Sequence, residues 1–341
     1  MWDSTLDLID KGYSGELEVF PVMKHPLKSD LSILNRIAPC MPPTYLSVGG
    51  KGGSGKSAFV NQYFLFTALL QLHNQEHNFK WLYYATERDP RVQIMGKMLA
   101  WLYYLTHGEP MSVATLFGWP NKSKDLSPTD YKYIKETMPK AKALLKDNVS
   151  VVKGHRSVEE IKELDARFKK KYPNASVIRI LDHCSNVKSD SGKKPLPLLE
   201  EISDHTANVC RDEYGWFGID VNQFNRTSDE QARRSGPPVI VPADWYGSSK
   251  FEMNTDLMVG VLDPVKAGTK KLMGYDVDDF RKQNGGHCRL RGIYVVKNSY
   301  GPSPYEIPYL FQGECGAYYE LLEEPSERYL QDIRLGKILP S

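Results

Sequence analysis

The chain has 341 residues, 41% hydrophobic and 25% charged, the balance of a soluble globular protein with one large α/β domain or two small ones. Lys plus Arg number 44 and Asp plus Glu 42, a net charge of +2, which excludes a protein that coats nucleic acid through bulk positive charge; any such contact must be local. Cys40, Cys184, Cys210, Cys288 and Cys315 form no CxxC or zinc pattern, the N-terminal MWDSTLDLIDKGYSG has no secretory signal character, and no apolar run reaches the roughly 18 residues of a membrane helix. Reduced thiols, no membrane contact and a cytoplasmic location are therefore expected.

In chain order, Ser4 to Tyr13 is a candidate short helix, and Ser14 to Met41 is a lead-in segment. TYLSVGG from Thr44 is a β-rich run meeting a glycine cluster, and SAFVNQYFLFTALLQL is a helix apolar on most sides, hence buried. KWLYYAT is a second strand, followed by the helix DPRVQIMGKMLAWLYYL with Pro90 near its first turn. A further helix covers Pro128 to Leu145. NVSVVKG is a third strand, and SVEEIKELDARFKKKY an amphipathic helix whose Ser157 and Glu160 make a capping box. SVIRILD is a fourth strand, LLEEISDHTANVCRDEY a helix and FGIDVNQF a fifth strand; DLMVGVLDP, RGIYVVKN and EIPYLF are late strands. Lys188 to Lys194 and Asp263 to Gly286 read as mobile, being polar and rich in Gly and Lys. Alternation through the middle predicts an α/β fold, a mostly parallel sheet covered on both faces, with late hairpins extending one edge. The expected division is a lead-in over 1–42, one domain over 43–313 and a tail over 314–341.

Gly50-Lys51-Gly52-Gly53-Ser54-Gly55-Lys56-Ser57 fits GxxxxGK[ST], the loop that cradles nucleotide phosphates. Its glycines let backbone N–H groups curl around phosphate oxygens, and the following helix aims its positive end at the same anion. Lys56 reaches the β- and γ-phosphates, and the Ser57 hydroxyl ligates Mg²⁺. ATP with Mg²⁺ is the expected ligand. Lys51 also fits the deviant loop of the partitioning and Min-type ATPases, in which an early lysine acts across a dimer, so the loop alone leaves two branches open.

Glu87 follows the strand KWLYYAT, on the ligand side of an open α/β sheet. There it either polarises a water against the γ-phosphate or complements a helix dipole, as Asp89 could equally do. Asp182 ends the apolar run SVIRILD, the form of the acidic strand that holds the Mg²⁺ shell; the alternative is a solvated loop aspartate. Gln223, near the end of FGIDVNQF, is a candidate γ-phosphate sensor or an ordinary strand-end amide.

Together these pieces resemble the RecA-type motor domain of the bacterial and phage replicative DNA helicases, the DnaB-like family, over roughly Leu27 to Phe311. YYATERDPRVQIMGKMLAWL is similar to its catalytic-glutamate strand and helix, VNQFNR to its glutamine motif, PADWYGSSKFEMNTDLMVGVLDP to its late loop, helix and strand, and VVKNSYGP to the strand that reaches a neighbour's ATP site. The resemblance implies a RecA-like P-loop core with Glu87 as general base, Asp182 at the metal, Gln223 as sensor and Lys297 acting in trans. It further implies a hexameric ring on single-stranded DNA, contacted by loops carrying Lys193, Lys194, Arg226, Arg233 and Arg234, and replication proteins as partners.

The sequence departs from the family in four places. Ser299 stands where the family carries its finger arginine, unless Arg289, Arg291 or Lys297 substitutes. Asn222 replaces a common serine, and His183 and Cys184 stand for tyrosine and leucine. Too few residues precede the first strand for the primase-binding domain. A helicase or translocase is therefore expected, with a single-stranded-DNA ATPase that does not unwind (recombinase or loader) and a partitioning-type dimeric ATPase using Lys51 as the alternatives.

Overall fold

The computed structural model describes residues 42–73, 76–87, 89–118, 126–188, 195–225, 239–282 and 287–334. The expected helix over Ser4 to Tyr13 and the lead-in segment lie outside them. The strands are β1 (Thr44–Gly50), β2 (Phe79–Ala85), β3 (Val149–Lys153), β4 (Ser176–Asp182), β5 (Phe217–Val221), β6 (Leu257–Leu262), β7 (Lys271–Leu272), β8 (Tyr275–Asp276), β9 (Leu290–Asn298), β10 (Tyr305–Gln312) and β11 (Ala317–Glu320). Nine of them form one sheet in the order β11-β10-β9-β6-β1-β5-β4-β2-β3. From β6 through β3 neighbouring strands are parallel, and from β6 to β11 they are antiparallel. The result is the expected mostly parallel sheet with antiparallel strands at one edge.

Helix α1 runs without a break through Lys56–Asn61, a π-helical stretch Gln62–Phe66 and Thr67–Leu72. Its sequence is apolar all round because both its sides are covered. Phe59, fully buried, meets Tyr318 and Tyr309 edge-on at 5.7 and 6.5 Å, and the Trp81 indole of β2 donates to the Phe64 carbonyl at 2.7 Å. Burying each such ring contributes about 1.5–3 kcal/mol. Helix α2 joins a π-helical Arg91–Gly96 to Lys97–His107, with Pro90 at its N-cap. Then come α3 (Val113–Leu116), α4 (Pro128–Lys146), α5 (Val158–Lys171), α6 (Pro195–His205, continued by a π-helical Thr206–Glu213), α7 (Ser248–Asn254), α8 (Pro264–Ala267), α9 (Val277–Lys282) and α10 (Glu327–Arg334). The capping box of α5 forms as read: Glu160 N–H donates to Ser157 Oγ at 3.2 Å, and Ser157 N–H to Glu160 Oε2 at 3.0 Å.

Two sequence expectations are corrected. The segment from Asp263 was read as mobile, yet it holds α8, the β7–β8 hairpin and α9, because Leu272, Tyr275, Val277 and Phe280, interspersed among polar residues, are buried in the core. Residues 317–320 were left in the tail, yet β11 pairs with β10 and closes the sheet edge with Tyr318 fully buried. Four residues are too short a run to show strand periodicity.

Between β4, β5 and the helices above them lies a buried ion network. Arg179 donates to Asp165 at 2.9 Å and to Asp220 at 3.1 Å; Tyr45 also donates to Asp220, and Tyr84 to Asp165, each at 2.7 Å. Burial alone would raise both carboxyls. For Asp165, Arg179 and His205 outweigh that and hold it below the usual range, whereas Asp220 stays raised. His205 and Cys210 complete the group, at 2.9 and 3.5 Å from Asp165 Oδ2.

The register decides where the chemistry can gather. Asp182 is level with Ala85 on one side and Val221 on the other, and Val221 is level with Val48. The carboxyl ends of β1, β2, β4 and β5 therefore open on one side of the sheet, where open α/β sheets take their ligands.

Candidate functional site

The glycine loop leaves β1 and turns directly into α1, so the helix start faces the loop's concavity. Gly55 is the N-cap in a left-handed conformation (φ +106°), and a Cβ there would run into the Tyr318 hydroxyl. Ser54 N–H closes the turn on the Lys51 carbonyl at 3.1 Å. Lys56 is buried, its ammonium donating to the Gly50 carbonyl at 2.8 Å and the Lys51 carbonyl at 2.9 Å. Burial lowers its pKa to about 8, against the pull of Asp182 and Glu87 and helped by the charge of Lys266. A site that holds an ammonium so poorly solvated is one that gains from an added anion.

Ser57 Oγ donates to Asp182 Oδ1 at 2.9 Å. Asp182 has no solvent exposure, and its other oxygen accepts from the Tyr83 hydroxyl at 2.9 Å and from the Gln93 amide. Tyr83 also donates to Asn61 Oδ1 at 2.9 Å, and Asn61 to the Gln93 carbonyl at 3.2 Å. Residues of β2, α1 and α2 thus fix the carboxylate's orientation. A serine hydroxyl beside a carboxylate oxygen is a hard oxygen donor pair, the chemistry that suits Mg²⁺.

Glu87 lies just past β2 with its side chain 44% exposed, and His183 Nε2 is 3.1 Å from its carboxylate. The same imidazole nitrogen lies 3.3 Å from Asp182 Oδ1 and 3.5 Å from Ser57 Oγ. Lys56, Ser57, Glu87, His183 and Gln223 line a cavity of about 270 Å³ at the loop. A second cavity, of about 620 Å³, adjoins it; Lys97, Phe311 and Gly313 border both. Gln223 also borders a third, of about 530 Å³, together with Phe224, Asn225, Leu199 and Tyr246. It stands between the phosphate-sized cavity and the ends of the loops that follow β4 and β5.

The antiparallel edge clamps the loop from the far side. Arg291 of β9 donates to the Ser54 carbonyl at 3.1 Å, pairs with Asp263 at 3.2 Å and lies 5.1 Å over the Phe311 ring, which stacks on Tyr318 at 4.5 Å. Lys266 of α8 donates to the Gly52 carbonyl, and Lys51 donates to the Lys266 carbonyl at 3.3 Å. Sequence reading missed Tyr83, Gln93, Asn61, Lys266, Phe311 and Tyr318. None carries a local motif, and only strand order brings them to the loop.

Lys297 is not part of this group. It pairs in register with Met258, toward the opposite end of the sheet, and donates to the Glu252 carbonyl. Ser299 N–H donates to the Asp256 carbonyl at 2.9 Å. Arg291, a candidate stand-in for a finger arginine, is committed to its own chain's loop, and Arg289 lies 3.6 Å from Glu314. Lys193, Lys194, Arg226, Arg233 and Arg234 lie outside the described residues.

No family model matches the sequence, and no curated protein matches it. Solved structures do. The chain is similar to a solved ATPase domain of the DnaB-like helicases, with 13% identity and a TM-score of 0.65, covering 94% of this chain and 99% of that one. It is also similar to a structure titled "The Structure Of A DnaB-Like Replicative Helicase And Its Interactions With Primase", with 14% identity and a TM-score of 0.64, covering 94% of this chain and 67% of that one. The resemblance read from the motifs thus extends through the whole domain: the chain has the RecA-like α/β fold of the DnaB-like helicase ATPase domains.

Proposed function

We propose that this protein binds ATP with Mg²⁺ and hydrolyses it as a RecA-type motor on single-stranded DNA, working as a replicative-type helicase or translocase in a hexameric ring. The observation that carries the reading is the convergence of Lys56, Ser57, Asp182, Glu87 and Gln223 on one cavity at the carboxyl ends of parallel strands. Backbone N–H groups of Gly52 to Ser57 and the start of α1 take the β- and γ-phosphates, and the Lys56 ammonium leaves its loop carbonyls for phosphate oxygens. The adjoining larger cavity is of a size to accept base and ribose. Ser57 and Asp182 hold the magnesium ion, which when bound neutralises charge building on the phosphates. Glu87 takes the proton of the attacking water, its exposed carboxylate reaching into the cavity. Gln223 contacts the γ-phosphate and passes its presence to the loops beyond β5. Lys297, at the opposite end of the sheet, serves a nucleotide only in a neighbouring copy. Replication proteins are the partner class this reading implies.

Ser299 favours a second reading, a single-stranded-DNA ATPase of recombinase or loader type that does not unwind, because a trans arginine contributes several orders of magnitude to hydrolysis. ATP turnover with and without single-stranded DNA, mass measurement with a non-hydrolysable nucleotide, and a forked-duplex unwinding assay test both. DNA-stimulated turnover, a ring mass and unwinding support the motor. Stimulated turnover without unwinding supports the second reading, and turnover indifferent to DNA refutes both.

A further inference from the structure

One donor beside the phosphate cavity is not an oxygen. His183 Nε2 lies 3.3 Å from Asp182 Oδ1 and 3.5 Å from Ser57 Oγ, and those two oxygens are 2.9 Å apart. Adjacent ligands of an octahedral ion bound at about 2.1 Å are separated by about 3.0 Å. The three atoms therefore outline one triangular face of such a coordination sphere, with the cavity on the open side for phosphate oxygens and water.

The ring is held in that place. Its side chain is only 7% exposed. Its backbone N–H donates to Thr86 Oγ1 at 2.7 Å, and the Thr86 hydroxyl grips the Asp182 and His183 carbonyls at 2.9 and 3.1 Å. Magnesium prefers oxygen donors, whereas a neutral imidazole nitrogen raises affinity for later first-row ions along the series to cobalt and nickel.

We propose that His183 Nε2 is a direct ligand of the divalent cation that accompanies the nucleotide, beside Ser57, and that it shifts the site's preference from magnesium toward cobalt and nickel. This rests on the triphosphatase reading and adds to it. A second consequence concerns Glu87, whose carboxylate is 3.1 Å from the same nitrogen. With its lone pair on a cation, Nε2 no longer bonds Glu87, and that carboxylate is left to water.

The test is pulsed electron paramagnetic resonance of Mn²⁺ bound with ADP to the full chain, prepared with natural-abundance and with ¹⁵N-labelled histidine. The expected result is a nitrogen coupling that changes with the label and vanishes in His183→Gln. In parallel, the preference for Co²⁺ over Mg²⁺ in the presence of ADP should fall about tenfold or more in His183→Gln. If Mn²⁺ binds with ADP but shows no histidine coupling, the proposal is overturned and His183 serves only to hold Glu87; the isotope comparison needs no variant to fold. If Mn²⁺ and ADP do not bind together at all, the triphosphatase reading falls along with it.

Discussion

At the residue scale, the site is an anion hole built around one poorly solvated ammonium. The pKa of Lys56, lowered by burial to about 8, lies below its ordinary 10.5. In the nucleotide-free chain the cost of keeping it charged is present below about pH 8 and fades as pH rises toward 10.5. A bound triphosphate favours the charged form, so above pH 8 binding should take up a proton and weaken as pH rises. Calorimetric titration in buffers of different ionisation enthalpy checks this; affinity flat across that range would mean the ammonium does not meet the phosphates. Glu87→Gln should keep nucleotide affinity and lose about 10²–10⁴ in turnover. Wild-type turnover in that variant would remove Glu87 as the base. Lys51→Ala should leave turnover near wild type, because Lys51 reaches only the Lys266 carbonyl of its own chain. Abolished turnover would point instead to the partitioning-type dimer.

At the element scale, the antiparallel edge and the buried amides do what the loop alone cannot. Gly55→Ala forces a side chain into a left-handed backbone and against the Tyr318 hydroxyl. The variant is expected to fold with a lowered melting temperature and to lose nucleotide binding, measured by calorimetry on the same sample. Tyr83→Phe removes one of the donors to the buried Asp182 oxygen, a loss of about 1–3 kcal/mol. Its effect should be specific: a higher Mg²⁺ requirement with nucleotide affinity unchanged in the absence of metal. An unchanged Mg²⁺ requirement would make the Tyr83–Gln93–Asn61 network structural only.

At the scale of the whole molecule, the parallel half of the sheet is tied to its covering helices by charge as well as by apolar burial. Arg179 on β4 joins Asp165 of α5 to Asp220 of β5 with no solvent exposure. Arg179→Met leaves two buried carboxylates without their cation and should cost about 3–5 kcal/mol in denaturant unfolding. A change within experimental error would show that the carboxyls simply protonate.

Much of the site was legible because its signals are local. Gly50 to Ser57 encodes its own turn, and Asp182 and Glu87 are readable as acids at the ends of apolar strands. The same holds for the Ser157–Glu160 box, whose two partners lie three residues apart. The remainder depends on which strands lie side by side. Placing β6 and the antiparallel strands next to β1 sets Arg291 and Tyr318 on the Ser54 carbonyl, more than two hundred residues away in sequence. Placing β2 against β4 sets Tyr83, Gln93 and His183 around Asp182. The sequence by itself determined the phosphate loop and the alternating order of elements, since backbone freedom and helix polarity act within a few residues. Only the tertiary structure decided what surrounds that loop, because sheet order is fixed by burying apolar faces that no single segment contains.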